Sequence, residues 1–215
     1  RGLIHQTTLD DNTKLDVPRI FYLGVDPSSD SMTIGNLAVV LLVRRLIEAG
    51  HTGIMLVGGA TGMIGDPKET AERTLKSVGA QLVRQMTGKS VDVLTMPLVI
   101  NAETGQKFGK TEDGAIWLDS SKTSVYTFYQ FWFNVPDDAV ADYLKIYTFL
   151  SKEEIESIVQ SHVSQMNQRT AQKRLAYEVT AIVHGEEAAK RVEKVTDFLF
   201  AQEDQSDVAH DLIDL

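Results

Sequence analysis

The sequence predicts an α/β fold: a Rossmann-like parallel-sheet nucleotide-binding core followed by an α-helical domain. Three observations carry this. Two short apolar runs, residues 19–25 and 52–59, flank a helical pattern over residues 36–50, the spacing of a βαβ unit with a right-handed crossover. Each run leads into a glycine- or proline-containing turn, at the strand ends where such sheets collect ligands. Beyond Asp119 the apolar spacing becomes helical and stays so to about residue 200.

Taken in order, residues 19–25 (Arg19-Ile20-Phe21-Tyr22-Leu23-Gly24-Val25) read as a buried strand, with Gly24 permitting close approach of a ligand. A loop follows and ends near Gly35. The helix over residues 36–50 is apolar all round in its first two turns and closes at Gly50. Residues 52–59 form a second strand ending in glycines. Asp66-Pro67 breaks the chain, a helix is expected from about residue 69 to 84, and residues 91–100 supply another strand or strand pair. Helices are then expected over residues 124–133, 136–146, 152–163, 171–183 and 186–200, the third opened by a Ser151/Glu154 capping box. The expected organisation is a core over 1–120, a helical domain over 121–200, and an acidic linker or start of another module over 201–215. A doubly wound sheet wants four to six strands, and only three or four are found.

The charge balance, 21 Lys and Arg against 30 Asp and Glu, argues against coating nucleic acid without sequence preference, though not against docking of one RNA end. The absence of cysteine excludes disulfides, thiolate nucleophiles and thiolate zinc sites. No secretory signal is found, and the longest apolar run, 37–43, is too short to span a bilayer. A cytoplasmic protein with no membrane association is expected.

Lys107-Phe108-Gly109-Lys110-Thr111 is the most informative segment. It places two ammonium groups three residues apart on a glycine-containing loop, with a hydroxyl beside the second. Flexible point charges of this kind suit a polyphosphate whose charge moves during reaction, although most exposed lysines are merely solvated. Upstream, Thr33-Ile34-Gly35-Asn36 begins the first helix, where unpaired amides favour an anion; the plainer reading is that Thr33 or Asn36 caps the helix. Asp26 and Asp66 each precede a proline, a common turn arrangement, or else face a ligand's ammonium or ribose. Arg73 serves either phosphate or the surface. The five histidines lack ligand spacing, so no metal site is expected. The run 58–62 lacks the spacing of a P-loop or dinucleotide fingerprint.

These stretches together resemble the catalytic domain of bacterial-type tyrosyl-tRNA synthetases, class I aminoacyl-tRNA synthetases. The resemblance rests on Tyr22 to Pro27, Leu56 to Pro67, Lys107 to Thr111, Tyr126 to Trp132, Ala171 to Lys173 and Val183 to Ala188. It implies ATP-dependent activation of tyrosine to tyrosyl-adenylate and transfer to tRNA(Tyr). It implies Tyr22 facing the substrate phenol, with Gly24, Asp26, Thr61 and Asp66 also on the tyrosine side. Asp26, Ser28, Thr33, Gly35 and Asn36 would surround ATP, and Lys107, Lys110 and Thr111 would close over its phosphates with Arg73 as a possible helper. Magnesium would arrive with ATP as part of the substrate, with no tightly bound cofactor.

Two departures stand out. The family's His-Ile-Gly-His signature reads Thr33-Ile34-Gly35-Asn36 here, so both imidazoles are gone. About a hundred residues are also absent between the helix after Asp66-Pro67 and the approach to the segment that matches the family's second signature, Lys107 to Thr111, at about 77–79. In the family that block carries much of the amino-acid pocket and the dimer contact, so a homodimer is expected only if it is present. The carboxy-terminal RNA-binding domain is missing too, so tRNA would bind weakly. An engineered minimal domain, a natural degenerate copy and a chain from which a segment was left out all remain open; the last predicts a wide Cα separation between Ser77 and Gly79. The rival functions are an ATP-binding remnant without aminoacylation and a helical interaction module.

Overall fold

A computed structural model of the chain describes residues 3–4, 6–9, 15–25, 31–57, 78–89, 91–96, 99, 110–111 and 114–200. The chain divides into two compact units: Gly2–Asp30 with Val39–Val99, and Ser31–Ala38 with Ile100–Leu215, the latter also taking Arg1.

In the first unit, β1 (Gln6–Thr7) precedes β2 (Ile20–Val25), which pairs in parallel with β3 (Thr52–Val57) from Ile20 opposite Thr52 to Val25 opposite Val57. This is the predicted parallel sheet, entered through α1 (Ile34–Glu48). The helix stops as its sequence dictates. Gly50 takes φ +90°, a conformation that disfavours side chains, and its N–H donates to the Ile47 carbonyl at 2.9 Å. His51, buried behind this turn, accepts the Arg19 N–H on Nδ1 at 3.1 Å. A Cβ at Gly53 would lie 2.8 Å from Cζ of Phe21, so a side chain there would push the Phe21 ring aside. Next comes α2 (Val78–Thr87), and then β4 (Leu94–Thr95), antiparallel to β1.

The expected helix over 69–84 is thus represented by α2, its earlier part lying outside the described residues. The expected break near 77–79 falls partly there as well; Val78 and Gly79 are consecutive residues of an intact helix. Residues 201–215 are likewise outside the described residues.

In the second unit, β5 (Lys110–Thr111) and β6 (Gly114–Ala115) form a small antiparallel pair. Helices α3 (Val125–Phe133), α4 (Val140–Tyr147), α5 (Lys152–Ser164), α6 (Thr170–His184) and α7 (Glu186–Phe200) follow. Helix α6 organises the core, since Ala171, Gln172, Leu175, Ala176, Val179 and Thr180 recur on one face and are all fully buried. Against it lies an aromatic cluster: Trp132 meets Tyr147 at 4.6 Å between ring centroids and Tyr143 at 6.4 Å, while Phe128 meets the His184 ring edge-on at 4.8 Å. The Ser151 box forms in both directions, Glu154 N–H to Ser151 Oγ at 3.1 Å and Ser151 N–H to Glu154 Oε2 at 2.7 Å.

One boundary differs from expectation. The helix anticipated over 136–146 begins at Val140, because Pro136 to Ala139 forms a turn instead. The Asp137 carboxylate leaves that turn to meet two buried side chains, accepting from Gln172 Nε2 at 2.5 Å and lying 3.0 Å from His162 Nε2.

Candidate active site

The site is built from the start of α1 outward. Asn36 occupies the third helical position, and its Oδ1 accepts both the Thr33 N–H at 2.9 Å and the Thr33 hydroxyl at 3.1 Å. The Thr33 carbonyl in turn accepts from the amides of Asn36 at 2.9 Å and Leu37 at 3.1 Å. This is one half of a capping box, with asparagine where glutamate usually stands: the Asn36 side chain takes the Thr33 N–H, while the Thr33 hydroxyl donates to Asn36 and accepts from no helix amide among the described residues. The plainer reading, a cap at the helix start, therefore describes the Asn36 oxygen alone. It leaves the Asn36 side-chain NH2 and the Gly35 N–H without a hydrogen-bond partner among the described residues, both in an exposed turn. Helix N-termini in this condition favour anions.

The first signature is joined to the second through backbone. Lys110 pairs with Ala115 and Thr111 with Gly114, so the last two residues of the second signature form the first strand of an antiparallel pair. Its return strand runs on into residues 116–118, which pair with 32–34: the Ile34 N–H donates to the Ile116 carbonyl at 3.1 Å, the Leu118 N–H donates to the Met32 carbonyl at 2.8 Å, and Thr33 bridges Trp117. The Lys110-Thr111 backbone is thereby tied to the helix N-terminus through one continuous antiparallel strand. Sequence reasoning missed this pair. Each of its strands is only two residues long, too short to show the alternation that marks a strand in sequence.

The segment beyond is pinned by local polar contacts. Asp119 Oδ1 accepts the Ser121 hydroxyl at 2.7 Å and its N–H at 2.9 Å, and these bonds hold the Asp119 carboxyl below the usual carboxylate range. Trp117 donates its N–H to Thr123 Oγ1 at 3.0 Å, and the Lys122 ammonium lies 4.8 Å from the Trp117 ring centroid.

In the first unit Tyr22 and Gly24 sit on β2, with Tyr22 60% exposed rather than held in a core. A Cβ added at Gly24 would meet no atom within 4 Å. Packing among the described residues therefore gives no reason for glycine there. Asp26, Ser28, Thr61, Asp66, Arg73 and Lys107 lie outside the described residues. Among the described residues no three His, Cys, Asp or Glu side chains gather as a metal site, and no helix is long and apolar enough to cross a membrane.

A parallel βαβ unit followed by α-helices defines the class: an α/β, Rossmann-like protein with a helical second half. Comparison with known proteins narrows this. The family model described as tRNA synthetases class I (W and Y) matches residues 14–85 and 76–201, and the chain belongs to that family. It is 34% identical to the tyrosine--tRNA ligase of Bacillus caldotenax, covering 94% of this chain and 75% of that one, and 33% identical to that of Desulfitobacterium hafniense over 93% and 75%. In fold it is similar to a C-terminally truncated mitochondrial tyrosyl-tRNA synthetase of Aspergillus nidulans, with TM-score 0.70, 21% identity, and 93% and 92% of the two chains covered. The match to the Bacillus caldotenax enzyme extends over 316 residues, whereas 94% of 215 is about 202, so about 114 positions have no counterpart here. The two family-model matches meet at 76–85.

Proposed function

We propose that this chain binds ATP at the start of α1 and activates tyrosine to tyrosyl-adenylate, the first half of a tyrosine--tRNA ligase reaction. The observation that carries the reading is the backbone tie between Thr33–Asn36 and Lys110–Thr111. An α-phosphate at the Gly35 N–H would follow directly on residues 32–34, whose partner segment 116–118 continues from the strand paired with Lys110-Thr111. The tyrosine carboxylate oxygen attacks the α-phosphorus in line, the bond to the bridging oxygen breaks, and magnesium pyrophosphate leaves. A terminal ribose hydroxyl of tRNA(Tyr) then attacks the aminoacyl carbonyl and displaces AMP.

Neither step needs a protein nucleophile. The chain contributes position and charge, which suffice when donors are already aimed at the oxygens that gain charge. In this reading Lys107, Lys110 and Thr111, with Arg73, meet the phosphates; Asp26, Ser28, Gly35 and Asn36 hold the nucleotide. Tyr22 faces the substrate phenol, Gly24 leaves room for the ligand, and Thr61 and Asp66 take its ammonium. Thr33 acts chiefly by fixing Asn36. Residues 1–120 serve as the catalytic core and 121–200 as the helical domain.

The positions with no counterpart in this chain favour a second reading, an ATP-binding remnant without adenylate formation. Tyrosine-dependent exchange of pyrophosphate into ATP separates the two. Exchange that falls at least about tenfold in both Lys107→Ala and Lys110→Ala, with ATP affinity less affected, supports transition-state contacts by these lysines. ATP binding without exchange selects the remnant. No ATP binding defeats both and leaves a helical interaction module.

A further inference from the structure

The β2–β3 pair has a face that the described residues do not cover. Residues opposite one another in parallel register point to the same side. Phe21, Leu23 and Val25 therefore share one face with Gly53, Met55 and Val57, while Ile20, Tyr22 and Gly24 share the other with Thr52, Ile54 and Leu56. On that second face Ile20 is 74% exposed, Tyr22 60%, Ile54 53% and Leu56 60%. Parallel sheets are ordinarily covered on both faces, and their strands are apolar on both sides for that reason. The unbroken apolar run Ile54 to Val57 has this composition. Four large apolar side chains side by side on two paired strands are an unusual surface for a protein that works alone. Both outer strand edges are also open among the described residues.

The family comparison indicates what would cover this face. About 114 positions of the Bacillus caldotenax enzyme have no counterpart here, and the family matches meet at 76–85. Loss of a surface loop leaves a sheet closed. A bare apolar sheet face is what remains when part of a core is absent.

We infer that the face bearing Ile20, Tyr22, Ile54 and Leu56 is a docking surface for a second polypeptide that carries the segment held in line by the relatives. The sheet is completed between two chains. A second copy of this chain is the poorer occupant, because it lacks the same positions and leaves the sheet edges unextended. The inference rests on burial and chain length, not on the catalytic reading, and its test reads binding alone.

The intact tagged chain is co-expressed with the segment of the Bacillus caldotenax enzyme that lies opposite the gap. The expected result is a one-to-one complex in which amide exchange over 20–25 and 52–57 slows by at least about tenfold relative to the chain alone. Leu56→Asp, costing the free chain little at an exposed position, abolishes co-purification and leaves the melting of the helical unit unchanged. The chain alone binds an apolar dye, and Leu56→Asp reduces that binding whether or not the added segment is soluble. Failure of the dye to respond overturns the inference. So does a soluble segment that does not co-purify, a complex indifferent to Leu56→Asp, or a homodimer of the chain cross-linked through this face.

Discussion

Substituting Asn36 separates two roles that its position combines. Its Oδ1 holds the Thr33 N–H at 2.9 Å and the Thr33 hydroxyl at 3.1 Å, so Asn36→Ala strips α1 of its side-chain cap, a loss of about 1 kcal/mol. For a chain of this size that lowers the melting temperature by about 2–4 °C. Asn36→Asp keeps an oxygen in the same place and adds a negative charge in the first helical turn, which the helix dipole favours by about 0.3–1 kcal/mol. The same charge lies beside the Gly35 N–H, where the proposed phosphate sits. Two unit charges about 6 Å apart at an effective dielectric of about 20–40 repel by about 1.4–2.8 kcal/mol, which is about 10–100-fold in affinity. The two substitutions therefore diverge. The aspartate variant melts no lower than the parent yet binds ATP about 10–100-fold more weakly; the alanine variant melts lower and loses less affinity. Thermal denaturation followed by circular dichroism and titration calorimetry with ATP give both quantities. An aspartate variant with undiminished ATP affinity would put the anion elsewhere, and an alanine variant with unchanged melting would show that the cap contributes nothing.

Three further outcomes follow from the helical unit. Asp137→Ala leaves the buried His162 and Gln172 donors without their acceptor, at a cost of about 2–4 kcal/mol measured by denaturant unfolding at neutral pH. The Gln172 hydrogen bond, ahead of the one to His162, holds the Asp137 carboxyl below an ordinary aspartate's 3.8. Its stabilisation is therefore complete above pH 3.8 and fades as the pH falls through the lowered value, so parent and variant should converge in strong acid. Ser151→Ala removes the bond to the Glu154 N–H and should cost about 1 kcal/mol by the same assay. Leu175→Ala, at a fully buried position on α6, should cost about 2–5 kcal/mol and speed proteolysis of the helical unit in step.

Local chemistry accounts for what the sequence by itself determined. Gly50 ends α1, Ser151 and Glu154 open α5, and the apolar spacing of α6 marks its buried face, because each signal lies within a turn or two of the structure it specifies. Two apolar runs flanking a helix were enough for the parallel pair β2–β3. The tertiary structure decided how these pieces join. Nothing near Thr33 announces that residues 32–34 will pair with 116–118, since strand pairing depends on backbone groups that every residue carries. Nor does the sequence around Asp137 show that its carboxylate will turn back to His162 and Gln172 and delay α4 to Val140. The bare face of Ile20, Tyr22, Ile54 and Leu56 was equally hidden. An apolar strand states that it should be covered, but only the folded chain shows how much of it the described residues leave exposed.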